Sequence, residues 1–217
     1  MLSTKTLLSI EELNNAKSFQ YENYYLSKHR FLRSNLLSKS LQVLSILSGL
    51  LIAQLFDWPL VISILIGYGI LVTYTVLRIH FFYQSTIHLQ QDYERFIPFW
   101  LRPRHCLIGL YLTERNHKQL IGIIGIFTTK DPDVCELKRM WVCDKYRHQG
   151  SGSILLEAIV EECRKLKYKK IELTTAGNLH EAVAFYKKNN FIFIKKITTS
   201  YILPFNPFHV YFFEKYL

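Results

Sequence analysis

Two long apolar segments interrupt an otherwise mixed pattern of hydrophobic and polar positions. Residues 41–56 form 16 positions without a charge and residues 60–77 form 18 more, joined by Asp57, Trp58 and Pro59. As helices, at about 1.5 Å per residue, they would reach roughly 24 and 27 Å, against a hydrocarbon core of about 30 Å. The pattern predicts a helical hairpin that turns at Asp57 and Pro59 and enters a membrane. The alternative is a buried hairpin in the core of a soluble protein.

Basic residues flank both outer ends of the predicted hairpin. Lys28, Arg30, Arg33 and Lys39 precede it, and Arg78 follows it. Because Lys and Arg collect on the cytoplasmic side of membrane helices, we expect both termini in the cytosol. The chain is thus predicted to reside in the endoplasmic reticulum or another internal membrane. Its parts are a helical N-terminal segment (residues 1–40) that belongs with the cytosolic domain, the hairpin (41–77) and the main cytosolic domain (84–217).

The pattern after residue 84 changes to short β-rich runs and two amphipathic helices. A further helix is compatible with residues 90–101. The order β-β-β-α-β-α-β-β predicts an α+β, α/β-like fold: a mixed central sheet with flanking helices and one parallel crossover. The predicted strands lie at residues 106–113, 119–129, 136–142, 169–175, 191–196 and 209–216, and the predicted helices at 150–166 and 180–188.

A glycine-bearing turn joins the third of these strands to the first amphipathic helix. It has the form Arg147-x-x-Gly150-x-Gly152. A helix start offers unpaired N–H groups and the positive end of its dipole, and glycine lets a pyrophosphate approach the backbone. The turn is therefore a candidate phosphate cradle, although two glycines near a helix start are common.

The strand before this turn is unusually polar for the centre of a sheet. A central strand normally forms an unbroken apolar run, whereas this one contains Glu136, Lys138 and Arg139. Its polar residues indicate that part of the strand faces a cleft. A frayed strand start with surface charges is the alternative.

Charge and cysteine content narrow the classes of partner. The chain carries 27 Lys and Arg against 17 Asp and Glu, a formal charge of +10, which favours anionic partners such as nucleic acid, anionic lipid or a polyphosphate cofactor. The basic residues are scattered, as on a solvated surface, and no nucleic-acid motif accompanies them, so we expect no nucleic-acid partner. The four cysteines lack C-x-x-C spacing, so we expect free thiols and no metal site. The first 30 residues or so show no secretory signal.

These motifs in this order resemble the GNAT acyltransferases. The resemblance covers roughly residues 85–217. It rests on the charged strand ending in Met140, Trp141 and Val142, the turn with Arg147, Gly150 and Gly152, the amphipathic helix, and the later run AVAFYKKNNF at residues 182–191. With the hairpin ahead of the domain, the chain resembles specifically the camello-like membrane N-acetyltransferases, which include cysteine-conjugate and aspartate N-acetyltransferases.

The resemblance implies acetyl-CoA as acyl donor and assigns roles to particular residues. Tyr186 would protonate the departing thiolate, with an aromatic core residue as the alternative reading, and Glu136 is the candidate general base. Two positions depart from the family pattern: Asn190 replaces a glycine, which a left-handed helix end tolerates, and Asn178 lies one place off the usual spacing. The implied cofactor-binding residues are Met140, Trp141, Val142, Arg147, His148, Gln149, Gly150, Ser151, Gly152, Ser153 and Asn178. In the family, the backbone at Met140 to Val142 would pair with the pantetheine, and the N–H groups of His148 to Ser153 would hold the pyrophosphate.

The predicted function is therefore that of a membrane-bound N-acetyltransferase. Acetyl would pass directly, in a ternary complex, from acetyl-CoA to a primary amine of an amino acid, a cysteine S-conjugate or a lysine, with lipid as a further partner. A membrane-tethered GNAT-like protein that binds CoA without transferring acetyl is the main alternative. A nucleic-acid or anionic-lipid binding module is a second alternative that rests on charge alone.

Overall fold

A computed structural model describes residues 1–88, 95–115, 117–177, 179–203 and 206–217. The chain divides into two compact units. The first, here called the sheet unit, comprises residues 1–24, 90–197 and 210–217, and the second, the hairpin unit, comprises residues 25–89 and 198–209.

Seven strands form one sheet: β1 Leu2–Thr6, β2 Cys106–Glu114, β3 His117–Thr128, β4 Val134–Val142, β5 Lys170–Ala176, β6 Ile192–Leu203 and β7 Asn206–Tyr216. Their order in the sheet is β1-β2-β3-β4-β5-β7-β6. Among the described residues, β4 and β5 pair in parallel, whereas the β1–β2, β2–β3, β3–β4 and β5–β7 pairs are antiparallel.

Helices cover both faces of this sheet. On one face, α5 (Ser151–Lys165) and α6 (His180–Lys188) bury Leu155, Ile159 and Tyr186 in a core with strands β2 to β5 and β7. On the other, the first turns of α1 (Ile10–Leu36) and the short α4 (Phe96–Trp100) form a second core. We refer to these as the α5 face and the α1 face. A β-strand directs successive side chains to opposite faces, so each strand contributes to both cores.

The predicted α+β fold with a parallel crossover is confirmed: α5 connects β4 to β5, and β4 is central. Two elements differ from expectation. Residues 2–6 lie in the N-terminal segment predicted to be helical (residues 1–40), but they form β1 and pair with β2. Of the helix predicted at 90–101, α4 holds Phe96–Trp100, and residues 90–94 lie outside the described part of the chain.

The hairpin unit contains two long helices, α2 (Lys39–Phe56) and α3 (Leu60–His88). Ser38 caps α2, its hydroxyl accepting from the Leu41 N–H at 3.3 Å, and Asp57 ends it in the left-handed conformation with φ 53°. Within α3, Leu60–Phe81 is long and apolar enough to cross a membrane, and α1 with α2 gives a second such stretch only if that bent pair is one span.

Small residues form the interface between α2 and α3. A Cβ added at Gly49 would lie 2.5 Å from Ile64 Cα, and one at Gly67 would lie 2.3 Å from Ser48 Oγ. Ser63 and Thr75 are fully buried. The exposed surface of the pair carries the large apolar side chains instead, among them Val43, Ile46, Leu47, Leu50, Leu51, Leu55, Val61, Leu65, Ile70 and Leu77.

Candidate active site

Strands β4 and β5 diverge halfway along their length. Their parallel ladder runs from the Val134–Lys170 pair to the Leu137–Leu173 pair. Beyond it β4 continues in its ladder with β3 as far as Val142, and β5 continues with β7 as far as Ala176. The two strands therefore enclose an opening in the centre of the sheet, which we call the β4–β5 opening.

A β-bulge at Arg139 and Met140 accounts for this divergence. Ile123 pairs with Trp141 and Gly125 with Lys138, so two residues of β4 face Ile124 of β3. Arg139 has φ 57°, in the left-handed region that non-glycine residues rarely adopt. A bulge bends its strand and increases its twist, which turns the end of β4 away from β5. The polar residues Lys138 and Arg139 predicted that this part of the strand faces a cleft, and the bulge lies in that part.

Backbone groups of β4 line the opening beyond the bulge. The Cys143 N–H donates to Ile121 O of β3 at 2.8 Å. Because backbone direction alternates along a strand, Trp141 also faces β3, whereas Met140 and Val142 direct their N–H and C=O groups to the opening. Of the three residues predicted to pair with the pantetheine, Met140 and Val142 are thus suitably directed. Trp141 instead turns its side chain into the α1-face core.

The predicted phosphate cradle lies at the end of β4, where α5 begins. Gly150 is the N-cap, with φ 84° and no side chain to cap the helix. Ile154 N–H is the helical donor to Gly150 O, at 3.1 Å. The N–H groups of Ser151, Gly152 and Ser153 precede that first helical bond, and an anion can accept from them.

The two glycines of the turn have different physical roles. A Cβ at Gly150 would meet nothing within 4 Å, so glycine is required there by its positive φ. At Gly152 a Cβ would lie 3.3 Å from the Phe185 ring and 3.4 Å from Met140 Cε. Gly152 therefore also allows α5 to pack closely on α6 and β4, a role that the sequence did not indicate.

Arg147 holds the turn against β4. Its Nε donates to Val142 O at 3.0 Å, and its guanidinium lies 3.1 Å from the Asp144 carboxylate. Gln149 also bonds within the turn, donating to Lys145 O at 2.9 Å. The exposed His148 has φ 58° and lies 4.0 Å from Glu181. These residues shape the cradle, and the charge of Arg147 adds to its positive potential.

Tyr186 reaches the same region from α6. Its hydroxyl donates to Met140 Sδ at 3.7 Å, and its ring packs against Phe185, Phe191 and Phe213. Burial raises the pKa of Tyr186 above the ordinary tyrosine value, so the hydroxyl is protonated at neutral pH. Tyr186 is therefore an aromatic core residue, which was the alternative interpretation of its role. Its hydroxyl is also a proton donor directed to β4 beside the opening.

Glu136 lies on the opposite, α1 face of the sheet. It is paired in the ladder with Phe127, whose ring packs against the α1-face core. Its carboxylate is 3.7 Å from Lys138 Nζ and its side chain is 27% exposed, so solvent reaches it. The candidate base and the candidate acid are therefore on different faces of β4. Glu136 lies one residue before the last pair of the β4–β5 ladder, after which the opening begins.

Two further glutamates lie in the same row as Glu136. The register pairs Glu136 with Glu172 on β5, and Glu172 with Glu214 on β7. Lys170 Nζ contacts both neighbours, at 2.6 Å from Glu172 and 3.3 Å from Glu214. No sequence motif indicated these residues, because the register that aligns them joins positions far apart in the chain. Asn178, the remaining predicted contact, lies outside the described residues.

The arrangement fits a long ligand with a phosphate group at one end. Unpaired N–H groups at the start of α5 suit the pyrophosphate. The backbone of Met140 and the N–H of Val142, whose C=O already accepts from Arg147, suit an amide-containing arm such as pantetheine. The arm would reach the position of Tyr186 and the bulge. Within the described residues no group of His, Cys, Asp and Glu side chains is arranged to hold a metal ion.

The sequence of this chain resembles a known protein family and several curated proteins. Residues 73–191 match the model of the acetyltransferase (GNAT) family. An uncharacterized N-acetyltransferase of Schizosaccharomyces pombe is 31% identical over 84 residues, which are 38% of this chain and 52% of the relative. An uncharacterized N-acetyltransferase of Escherichia coli is 31% identical over 70 residues, 32% of this chain and 42% of the relative. The chain spans about half the length of the curated relatives it matches.

Solved structures also resemble the chain. An acetyltransferase of the GNAT family from Streptococcus pneumoniae is 20% identical, with a TM-score of 0.48 over 58% of this chain and 76% of the other. A GNAT family acetyltransferase from Elizabethkingia anophelis with acetyl-CoA bound is 18% identical, with a TM-score of 0.46 over 60% of this chain and 88% of the other.

Proposed function

This chain belongs to the acetyltransferase (GNAT) family, and we propose that it transfers acetyl from acetyl-CoA to a primary amine at a membrane surface. One observation carries the proposal: the β4–β5 opening connects a phosphate cradle at the start of α5 with a buried, protonated tyrosine and an accessible carboxylate. Acetyl-CoA is the acyl donor of this family, so the cradle, Met140 and Val142 would hold its pyrophosphate and arm.

The reaction requires a neutral amine. A lysine-like amine of pKa about 10.4 is neutral in roughly one molecule in 2,500 at pH 7, whereas an α-amine near pKa 8 is about 10% neutral. Glu136, directly or through a water molecule, would take the proton of the attacking amine. A backbone N–H of β4 would polarise the thioester carbonyl, and Tyr186 would protonate the departing thiolate. Glu136 is most important for acceptors with the highest pKa.

Direct transfer is favoured by the placement of the two groups. Tyr186 contacts β4 on the α5 face and Glu136 lies on the α1 face. Donor and acceptor can therefore approach the opening from opposite sides of the sheet and be present together. Such a ternary complex needs no covalent acetyl-enzyme.

The packing and the surface of the hairpin unit support membrane association. Its helix interface is built from small and hydroxylated residues, and its exposed surface is apolar. Membrane helices pack in this way, because small residues allow close backbone approach while lipid solvates the large apolar side chains. Together with the GNAT domain, this unit supports membership of the camello-like membrane N-acetyltransferases. We propose that the catalytic domain lies in the cytosol, and the Lys and Arg residues that flank the outer ends of the hairpin support this orientation.

An acceptor panel tests the proposal. The full chain, in detergent or vesicles, is incubated with acetyl-CoA and free amino acids, cysteine S-conjugates or lysine peptides, while released CoA thiol is measured. We expect acceptor-dependent thiol release and an acetylated product. Binding of CoA without thiol release for any acceptor would instead identify a non-catalytic CoA-binding protein.

A further inference from the structure

Lys138 holds its amine in a position suited to an acceptor. Its Nζ is 3.7 Å from Glu136 Oε1 and 4.7 Å from the centre of the Phe127 ring. A carboxylate and an aromatic face are the two groups that best stabilise a bound ammonium ion. Lys138 thus places a primary amine of this chain beside the proposed base.

The position of Lys138 along β4 brings this amine near the β4–β5 opening. Leu137 forms the last pair of the β4–β5 ladder, Lys138 is the next residue, and the bulge at Arg139 follows at once. The side chain is 28% exposed, so it is partly accessible to solvent. Rotation about its four-carbon stem can move Nζ over several ångströms without a change in the backbone.

We propose that Lys138 is itself an acetyl acceptor of this enzyme, modified within the same molecule. The inference rests on the proposed acetyltransferase function and adds one acceptor to it. Lys138 Nζ, after loss of a proton to Glu136, forms a C–N bond with the acetyl carbon as the thioester C–S bond breaks. The thiolate takes its proton from Tyr186, and the nitrogen loses its second proton as the amide forms, which restores the Tyr186 hydroxyl by way of solvent. Glu136 releases the first proton to solvent, and the products are Nε-acetyl-Lys138, CoA and one proton.

Two physical effects determine the rate. Tethering the amine beside the opening replaces a bimolecular encounter, and well-oriented intramolecular reactions reach effective molarities of about 10⁵ M or more. The ammonium form of the amine opposes the reaction, because it cannot attack, and a lysine amine of pKa about 10.4 is neutral in roughly one molecule in 2,500 at pH 7. Acetylation of Lys138 should therefore be slow at pH 7 and become faster at higher pH.

Lys118 provides a matched control within the chain. It is an exposed lysine on β3, and its Nζ lies 4.3 Å from the centre of the Tyr111 ring, so it has the same aromatic contact. It is not on β4 and does not border the opening. A lysine that reacts with acetyl-CoA by uncatalysed chemistry should behave like Lys118, whereas a catalysed acceptor should not.

The test is peptide mass spectrometry of the full-length protein incubated with isotopically labelled acetyl-CoA and no added amine, at pH 7 to 9. We expect a gain of one acetyl group at Lys138, with an initial rate at least about 100-fold above that at Lys118. The rate constant should not change on tenfold dilution of the protein. It should fall at least tenfold in Glu136→Gln. In Lys138→Arg, which keeps the positive charge, the labelled β4 peptide should disappear.

Several results would overturn the inference. Equal labelling of Lys138 and Lys118, or labelling at Lys138 that persists in heat-unfolded protein, would show uncatalysed chemistry. A rate constant proportional to protein concentration would show transfer between molecules. An enzyme that acetylates an added amine but leaves Lys138 unmodified would refute the inference and leave the proposed function intact, whereas absence of both reactions would refute both.

Discussion

Replacing Tyr186 with phenylalanine separates the proposed acid role from packing. The substitution keeps the ring contacts with Phe185, Phe191 and Phe213 and removes only the hydroxyl, whose partner is Met140 Sδ at 3.7 Å. A hydrogen bond to sulfur is weak, so the loss of stability should be below about 1 kcal/mol, or a fall of less than about 4 °C in Tm.

The expected effect on catalysis is much larger. A positioned general acid contributes about 10²–10⁴ to the rate, which corresponds to roughly 3–5 kcal/mol of transition-state stabilisation. Tyr186→Phe should therefore lower turnover by about 100-fold or more while acetyl-CoA affinity changes little. The assays are thiol release at saturating substrates, single-turnover product formation, the Kd for acetyl-CoA and a thermal melt.

Tyr168 is the matched control for this experiment. Its buried hydroxyl donates to Arg104 O at 3.0 Å, and burial raises its pKa to about 12. Tyr168→Phe should cost about 1 kcal/mol in stability and leave turnover unchanged. If single-turnover rates of Tyr186→Phe stay within about threefold of the unmodified enzyme, Tyr186 does not protonate the thiolate.

Three other substitutions test the base, the cradle and the hairpin. Glu136→Gln should lower turnover most at low pH, where fewest amines are neutral, and a pH–rate profile of unchanged shape would remove Glu136 from the mechanism. Gly150→Ala forces a Cβ onto a residue with φ 84°, so we expect a loss of about 1 kcal/mol in stability and a raised KM for acetyl-CoA; a KM equal to that of the unmodified enzyme would contradict the cradle. Leu50→Lys, on the exposed apolar surface of α2, should shift the protein from the membrane to the soluble fraction, because a lysine in the bilayer centre costs about 3 kcal/mol. Leu8→Lys, at a position 72% exposed in the sheet unit, should leave that fraction unchanged, and equal behaviour of the two variants would argue against insertion of the hairpin.

Elements with strong local signals were predictable from the sequence. Helix α5 was expected at residues 150–166 and spans Ser151–Lys165, because its apolar positions repeat at helical spacing and a glycine turn precedes it. Helix α6 was expected at residues 180–188 and is found there. The parallel crossover followed from the strand–helix–strand order, which is right-handed in nearly all known cases and leaves few alternative topologies.

Features that depend on distant contacts were not predictable in the same way. Strand β1 reads LSTKT, with one apolar residue and mostly exposed positions, so only its pairing with β2 makes it a strand. The left-handed conformation of Arg139 follows from a mismatch of register with β3, which no local propensity expresses. For the same reason the row Glu136, Glu172 and Glu214 could be recognised only once the strands were aligned.

The cysteines offer a test of direct transfer against a two-step route through an acetylated thiol. Burial raises the pKa of Cys106 to about 12, and the contact with Cys135 Sγ at 3.6 Å, together with burial, raises the pKa of Cys163. Since the thiolate is the nucleophile, these buried thiols are poorly suited to accept acetyl at neutral pH. The half-buried Cys143, directly after β4, is the cysteine that most needs testing.

We therefore expect intersecting lines in double-reciprocal plots when acetyl-CoA and the amine are varied together, and full activity in Cys143→Ser. Intersecting lines arise when both substrates must be bound before the first product leaves. Parallel lines, with loss of activity in Cys143→Ser and an acetyl group on Cys143 in the absence of amine, would establish a covalent intermediate. In that case the two half-reactions would occur in succession at one thiol. The placement of Tyr186 and Glu136 on opposite faces would then no longer support direct transfer.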